Sequence, residues 1–228
     1  MGFTDDVNDP TVGHAVSLDG ESTCLIAFGG IAGGLVIPPF EFFRLTEDLP
    51  VGKVFIRDHD QAWYQFGVRG LGDDPASACA ALRATLDDHG VRRVVTFGNS
   101  AGGFAAILFG VLLGAAEIHA FAPQTSMTRG FRARHVDRRW SSEVRAMRRR
   151  RPADPTLDLA PVLAGADAHG PINVYFAQSH RLDRAHATHL AGAPQVTLHP
   201  AETGDHALIR GMRDSGLLRQ ILETSLAG

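Results

Sequence analysis

The stretch VVTFGNSAGGFAAILFG, residues 94–110, decides the fold. Its first four residues are β-branched or apolar, which is typical of a buried strand. Glycines at 98 and 102 then flank Ser100, and the apolar positions that follow have helical spacing. Small residues permit a tight bend between strand and helix, but the same bend can present a serine for chemistry. The residues outside the stretch have to distinguish these two interpretations.

Further apolar runs alternate with helical patterns on both sides of this stretch. The runs predicted as strands are residues 23–28, 53–58, 91–97, 117–123, 172–178 and 195–200. Helices are predicted over 74–90, from the serine to Leu113, and over about 207–225. This alternation predicts an α/β fold with a mainly parallel sheet and helices on both faces. The segment before Leu18 has a weak pattern that suggests an antiparallel edge strand.

Residues 124–170 interrupt the alternation, because they contain no clear strand pattern. We interpret them as a short helical insertion, a lid over the carboxyl ends of the strands, within a single domain of residues 1–228. Part of this insertion, residues 129–151, is rich in arginine and ends in four consecutive arginines, 148–151. Such a run is usually a solvated face. The alternative is that it binds an acidic substrate, such as a phosphopantetheine arm or an acidic sugar.

Composition and charge narrow the class of protein. The chain has 228 residues, of which 44% are hydrophobic, and a formal net charge of −3, which predicts no strong attraction to nucleic acid or to an anionic membrane. Two cysteines, Cys24 and Cys79, do not form a disulfide framework and are expected to be buried. The acidic first ten residues do not resemble a signal peptide, and no apolar run is long enough to cross a bilayer. We therefore expect a cytoplasmic location.

The position of Ser100 favours chemistry over a purely structural turn. In open α/β sheets, ligands bind beyond the carboxyl ends of the strands, and Ser100 follows such an end. The helix after it directs free backbone N–H groups to the same place. The spacing Gly98-x-Ser100-x-Gly102 between a strand and a helix resembles the nucleophile elbow of the α/β-hydrolase superfamily. A phosphate-binding turn or a merely tight turn remains the alternative, although no lysine follows the glycines as in a nucleotide P-loop.

The resemblance implies that an acid and then a histidine follow the serine along the chain. Asp183 lies in the loop after the fifth predicted strand, and His206 lies after the sixth. Both are therefore candidates to converge on Ser100, with His206 as base and Asp183 as its orienting acid. Asp58 comes too early for that order and is the next candidate acid. His186 and His189 share one helix face, but a third metal ligand is not evident, so we expect no metal.

Acyl transfer also requires backbone donors for an oxyanion, and the resemblance places one at Ala101, directly after the nucleophile. The other is expected in FGGIAGG, residues 28–34, at Gly30 or Ile31. This loop departs from the His-Gly-Gly-Gly pattern of some lipases and esterases, because Phe28 replaces the histidine, so the identity of the second donor stays open. A plain glycine turn is the alternative.

Candidates for substrate contact are weaker. They are the aromatic pair Trp63-Tyr64, which follows the second predicted strand, and Asn99 beside the serine. Packing at the surface is an equal interpretation for the aromatic pair. The resemblance implies a serine esterase or thioesterase that acts on a small-molecule or carrier-tethered acyl group without a cofactor. Acyl transfer or cyclisation through the same intermediate, and a non-catalytic binding protein with this fold, are the alternatives. The sequence leaves the acyl group, the leaving group and the oligomeric state open.

Overall fold

Seven strands form one sheet in the order β1-β3-β2-β4-β5-β6-β7. The computed structural model describes residues 2–31, 40–151, 155–166, 169–202 and 204–227. The strands are β1 (His14–Ser17), β2 (Thr23–Phe28), β3 (Gly52–Ile56), β4 (Arg93–Asn99), β5 (Glu117–Phe121), β6 (Ile172–Ala177) and β7 (Val196–Ala201). Strands β2 to β7 are parallel to their neighbours, and β1 pairs antiparallel with β3 at one edge. The weakly predicted edge strand is therefore confirmed.

Helices cover both faces of the sheet, as the alternation predicted. They are α1 (Phe43–Thr46), α2 (Pro75–Asp88), α3 (Ala101–Leu113), α4 (Arg129–His135), α5 (Ser141–Arg150), α6 (Leu159–Ala164), α7 (Arg181–His189), α8 (Leu208–Asp214) and α9 (Leu217–Leu226). Successive strand residues point to opposite faces, so Ile26 packs in one core and its neighbours Leu25 and Ala27 pack in the other. The first core lies under α2, α3 and α7, and the second lies under α8 and α9.

Strand β4 and helix α3 form the centre of the fold. β4 lies between β2 and β5, and five of its seven residues are buried. Nearly all of α3 is buried as well, and its Phe104 and Phe109 have no exposed surface. Burial of such a side chain contributes roughly 1.5–3 kcal/mol. The strand-to-helix connection that carries Ser100 is therefore held by packed structure on both sides.

The prediction of one final helix is wrong. The structure contains two helices, α8 and α9, which are separated at Ser215 and Gly216. Gly216 adopts a positive φ of 81°, which is accessible to glycine and ends the helical geometry of the backbone. The apolar spacing continues across the break, so the pattern alone suggested a single element.

The insertion, residues 124–170, contains α4, α5, a 3₁₀ turn (Pro155–Leu157) and α6. An antiparallel bridge joins Ser126, near the start of the insertion, to Asp158, which precedes α6, and no strand occurs in the described part of the insertion. Cys24 and Cys79 are buried free thiols, as expected. Among the described helices, none has the length and apolar character required to span a bilayer.

Candidate active site

Ser100 occupies a strained bend between β4 and α3. Its φ of 55° and ψ of −115° lie outside the regions that a serine ordinarily adopts. The bend depends on two glycines, because a Cβ at Gly98 would lie 2.0 Å from the Gly102 carbonyl oxygen. A Cβ at Gly102 would lie 2.2 Å from the carbonyl oxygen of Phe28. A hydrogen bond of 2.8 Å from the Ser100 amide to the Phe121 carbonyl ties the bend to β5.

The Ser100 hydroxyl meets His206, which follows β7. Ser100 Oγ lies 2.9 Å from His206 Nε2, although 106 positions separate them along the chain. The serine is about nine-tenths buried, whereas a third of the histidine side chain is exposed. Hydroxyl and imidazole are therefore in hydrogen-bond contact at a place that solvent can reach.

The other ring nitrogen of His206 contacts Asp183. Nδ1 lies 2.9 Å from Asp183 Oδ1 and 3.0 Å from Oδ2. A carboxylate only accepts hydrogen bonds, so this contact places the imidazole proton on Nδ1 and leaves Nε2 as the acceptor that faces Ser100. Asp183 lies in the first turn of α7, near the positive end of the helix, and its side chain is fully buried. Ser100, His206 and Asp183 thus form one continuous chain of hydrogen bonds.

Asp183 has two further partners, Arg139 and His180. Arg139 Nη1 donates to Asp183 Oδ1 at 2.9 Å, and His180 Nδ1 lies 2.9 Å from Oδ2. Burial acts to raise the pKa of Asp183, but the hydrogen bond from His206 and the nearby charges outweigh it, so the pKa is lowered. The carboxylate therefore stays ionised, which is the form that orients an imidazole.

A second hydrogen-bond network holds Arg139 in place. Arg139 Nη2 donates to Asp137 Oδ2 at 2.9 Å, and His186 Nε2 lies 3.1 Å from the same oxygen. His186 Nδ1 accepts from the Thr125 amide at 2.9 Å. Burial lowers the pKa of His186 to about 4, so its ring is neutral near pH 7. This network could not be predicted from the sequence, since Asp137 and Arg139 lie in a charged run that resembles a solvated surface.

The loop predicted to supply the oxyanion donors lies beside Ser100, but its amides differ in what they contact. The Gly30 amide donates to Glu41 Oε2 at 2.8 Å, so this predicted donor is occupied. The Ile31 amide makes no hydrogen bond among the described residues, and Ala101 is the first residue of α3, where amides lack helical partners. Residues 32–34 of the predicted loop lie outside the described residues.

Glu41 is a site residue that sequence reasoning missed. Its Oε2 lies 3.7 Å from the position that a Cβ on Gly30 would occupy, and Ser100 Cβ lies 3.8 Å from that same position. Desolvation raises the pKa of Glu41, and the hydrogen bonds from Gly30 and Asn99 only partly oppose this change. No motif identifies Glu41, because its contact with the Gly30 amide exists only in the folded chain.

Trp63 and Tyr64 do not line an open pocket, which corrects the interpretation of both as substrate contacts. Both side chains have no exposed surface and belong to the hydrophobic core. Trp63 Nε1 donates to Gln124, and the Tyr64 hydroxyl donates to the Gly29 carbonyl at 2.8 Å. Tyr64 therefore supports the loop beside the serine. Asn99 is the last residue of β4, and its side chain contacts Glu41.

One group of described residues has donor atoms close enough for a metal ion, namely His180, Asp183 and His206, with ligand atoms within 4.8 Å of one another. These atoms already hydrogen-bond to each other, and the positive guanidinium of Arg139 shares the same carboxylate. A cation would compete with both. His186 and His189, the pair considered from the sequence, contact Asp137 and Asp158 instead.

The topology and the placement of these residues define the class. A mainly parallel sheet carries a serine at a bend after β4, an acid after β6 and a histidine after β7. This chain has the α/β-hydrolase fold. No protein-family model matches the sequence, and no curated protein matches it.

Solved structures with this fold superpose over most of the chain. The capsule O-acetyltransferase of Neisseria meningitidis serogroup A matches with a TM-score of 0.66 at 13% identity, over 91% of this chain and 90% of that one. The fluorophosphonate-binding serine hydrolase FphF of Staphylococcus aureus gives 0.62 at 11%, over 96% and 95%. A bacterial brefeldin A esterase gives 0.59 at 20%, over 94% and 73%. At these identities the likeness establishes the fold.

Proposed function

We propose that this protein is a serine hydrolase that cleaves an ester of a small-molecule acyl substrate. Ser100 is the nucleophile, His206 the general base and Asp183 the group that orients the imidazole. The observation that carries the proposal is the unbroken hydrogen-bond chain, with 2.9 Å from Ser100 Oγ to His206 Nε2 and 2.9 Å from His206 Nδ1 to Asp183. Fold alone would not suffice, because one fold hosts many functions.

The first half of the reaction forms an acyl-enzyme. Ser100 Oγ attacks the carbonyl carbon of the substrate while His206 Nε2 takes the hydroxyl proton. The bond from carbon to the leaving oxygen then breaks, and His206 returns the proton to that oxygen. Asp183 stabilises the imidazolium that exists between these two transfers. The buried carboxylate is suited to this task because its lowered pKa keeps it ionised.

The second half releases the acid. Water gives a proton to His206 Nε2 and attacks the acyl carbon, and the Ser100 oxygen leaves with the proton returned to it. In both halves the negative charge on the carbonyl oxygen requires donors, for which we propose the amides of Ala101 and Ile31. The Gly30 amide can join them only when Glu41 releases it, since that amide donates to Glu41 at 2.8 Å.

A panel of esters and thioesters of increasing acyl length tests the proposal. We expect turnover of at least one class, and a fall to near the uncatalysed rate in Ser100→Ala. Ser142→Ala is the matched control, because Ser142 is an exposed serine on α5 that contacts only Glu143 among the described residues. Turnover that survives in Ser100→Ala would refute the assignment.

Acyl transfer is the second candidate function. It is favoured by the superposition with a capsule O-acetyltransferase at a TM-score of 0.66, with about nine-tenths of each chain covered. The same acyl-enzyme would then be attacked by an alcohol instead of water. Adding sugar alcohols to the ester assay separates the two, because a transferase forms a new ester and a hydrolase forms only the free acid. In either case a carrier-tethered acyl group is an alternative donor.

A further inference from the structure

A hollow of about 540 Å³ lies on the insertion, outside the Ser100 site. Its walls come from α4 and α5 and from the connection between them. Six arginines line it: Arg129, Arg132, Arg138, Arg145, Arg148 and Arg149. We call it the arginine hollow. Asp137 is the only acidic residue among the lining residues, so the hollow is strongly positive.

Helical spacing explains why the arginines converge. On α4 and just after it, the hollow is lined by residues 129, 132, 133 and 136, which are spaced i, i+3, i+4 and i+7. On α5 the lining residues are 141, 144, 145, 148 and 149, with the same spacing extended by one position. Each set is one face of a helix. Two helices that share a cavity usually present apolar side chains to it, and here both present guanidinium groups.

The four consecutive arginines at the end of α5 divide between two environments. Arg150 ion-pairs with Asp60 at 2.8 Å and stacks over the Phe66 ring, and Arg151 donates to the Asp73 carbonyl. Arg148 and Arg149 line the hollow, although Arg148 also donates to the Met127 carbonyl and Arg149 also borders the surface around Asp60 and Phe66. Hence the run is not a uniformly solvated face, because half of it is used for packing against the domain and half is presented to a cavity.

The charges in the arginine hollow are poorly compensated. Among the described residues, no carboxylate pairs with Arg129, Arg138, Arg145 or Arg149. Arg132 is about nine-tenths buried, and its Nη1 has no hydrogen-bond partner and lies 3.9 Å from Asp137 Oδ1. Such a buried donor is costly without an acceptor.

The arginines also act on one another. Desolvation lowers the pKa of Arg148, and repulsion from Arg132 and Arg129 lowers it further. Like charges gathered around a cavity destabilise the fold unless an anion neutralises them. Because a helix pair of ordinary composition would avoid this cost, the arrangement indicates a ligand.

We propose that the arginine hollow binds a ligand with two or more phosphate groups. Planar guanidinium forks match phosphate oxygens, and six of them around about 540 Å³ call for an anion of multiple charge and of nucleotide size. The proposal does not rest on the hydrolase activity, because the binding site and the Ser100 site use different residues. Two sources carry this chemistry, a phosphopantetheine-type carrier such as coenzyme A and a linear polyphosphate polymer.

The arginine hollow is connected to the Ser100 site through two residues, Asp137 and Arg139. Asp137 lines the hollow, accepts from Arg139 at 2.9 Å, and Arg139 in turn donates to Asp183 at 2.9 Å. Arg132 Nη2 also donates to the Arg139 carbonyl at 2.6 Å. A ligand in the hollow would therefore lie next to the support of the candidate catalytic acid, which is a suitable place for a substrate's phosphate-bearing arm.

Titration calorimetry with coenzyme A, dephospho-coenzyme A, pantetheine and inorganic tripolyphosphate tests the proposal. Arg145→Glu and Arg149→Glu reverse charges on the exposed wall of the hollow, and Arg134→Glu is the matched control on α4 outside it. We expect at least one of the phosphate-bearing probes to bind, with at least a tenfold loss in either wall variant and less than a twofold change in the control. Pantetheine, which lacks phosphate, should not bind.

The outcomes separate the two sources. Coenzyme A bound more tightly than tripolyphosphate, with weaker binding of dephospho-coenzyme A, supports a carrier. Tripolyphosphate bound at least as tightly as coenzyme A supports a polymer. No binding of any phosphate probe, or equal losses in Arg145→Glu and Arg134→Glu, would overturn the proposal. Thermal unfolding of each variant verifies that it is folded, and Arg149→Glu replaces Arg145→Glu if the latter is not.

Discussion

The serine bend and the insertion both connect to Asp183, the bend through His206 and the insertion through Arg139, yet different forces hold them. At the bend, backbone packs against backbone, since Gly98 and Gly102 leave no room for a side chain. Where the insertion approaches Asp183, the contacts are between charged groups, since Arg139 bridges Asp137 and Asp183. The bend is therefore fixed by steric exclusion, which tolerates no added atom. The insertion also packs apolar side chains such as Val144, Met147 and Leu159 into the first core, but its link to Asp183 is an ion pair, which weakens when one partner is neutralised.

The serine bend and the insertion have separate roles. The bend positions the Ser100 hydroxyl. Burial acts to raise the pKa of Asp183, the hydrogen bond from His206 opposes this change most strongly, and Arg139 of the insertion adds a further positive charge that lowers the pKa. Changes in each region should therefore have different consequences. Substitutions at the bend should affect folding or abolish reaction, whereas substitutions in the insertion should alter rate and its dependence on pH.

The largest effect is expected where the two regions meet, in Asp183→Asn. An amide in place of the carboxylate favours the wrong imidazole tautomer, so we expect turnover to fall by roughly 10⁴-fold. Steady-state kinetics on the best ester of the panel measures this. Asp205→Asn is the control, because Asp205 is adjacent to His206 but is exposed, and among the described residues its side chain accepts only from the Ala207 amide. Normal rates in Asp183→Asn would shift the search to Asp58.

At the bend, Gly102→Ala should destabilise the protein by more than about 3 kcal/mol, because the new Cβ has a fixed backbone oxygen in its way. That oxygen, on Phe28, would lie at 2.2 Å. Gly130→Ala is the matched control, because a Cβ at this α4 position meets nothing within 4 Å. Denaturant unfolding of both variants checks the prediction. Equal stability of the two variants would contradict steric control of the bend.

In the insertion, Arg139→Gln should lower kcat/KM by about tenfold near neutral pH. Without the guanidinium at 2.9 Å from Asp183, protonation of the His206–Asp183 pair is less opposed. The base form is then lost sooner on acidification, so the acid limb of the pH profile should move to higher pH. Arg134→Gln, which removes the same charge away from Asp183, should leave the profile in place. A uniform loss of rate with an unmoved profile would mean that Arg139 only supports the fold.

The smallest effect is expected for Glu41→Gln, on stability. Desolvation raises the pKa of Glu41, so the folded protein binds this proton more tightly than the unfolded chain does. Ionisation therefore costs stability as the pH rises above the unfolded pKa, and glutamine removes that cost. The gain in Tm should be larger at about pH 8 than at about pH 5. An equal gain at both pH values would show that Glu41 ionises as freely in the folded protein as in the unfolded chain.

The strands and most helices could be predicted because buried apolar positions recur with a regular period in the sequence. The strands lie within a few residues of their predicted limits, and Ser100 lies where the strand-glycine-helix pattern placed it. The same reasoning treated α8 and α9 as one helix, because Gly216 breaks the backbone without disturbing the apolar spacing. It also interpreted Trp63 as a pocket residue, because an aromatic residue in a loop looks the same whether it is core or surface.

Contacts between charged residues were harder to predict, because no sequence period relates residues that come together only when the chain folds. Arg139 resembles its neighbours in the arginine-rich run, yet it alone among the described residues contacts both Asp137 and Asp183. No sequence motif surrounds Glu41, yet its side chain accepts a hydrogen bond from the Gly30 amide. For the arginine hollow, the helical spacing of the arginines can be seen in the sequence, but the way in which α4 and α5 face each other cannot.

A fluorophosphonate probe followed by peptide mass spectrometry tests the central claim most directly, because the probe bonds only to a serine that a neighbouring base has activated. The account predicts one adduct, on the peptide that contains Ser100, with labelling absent in Ser100→Ala and strongly reduced in His206→Ala. Labelling of another residue, or labelling that persists unchanged in His206→Ala, would contradict it.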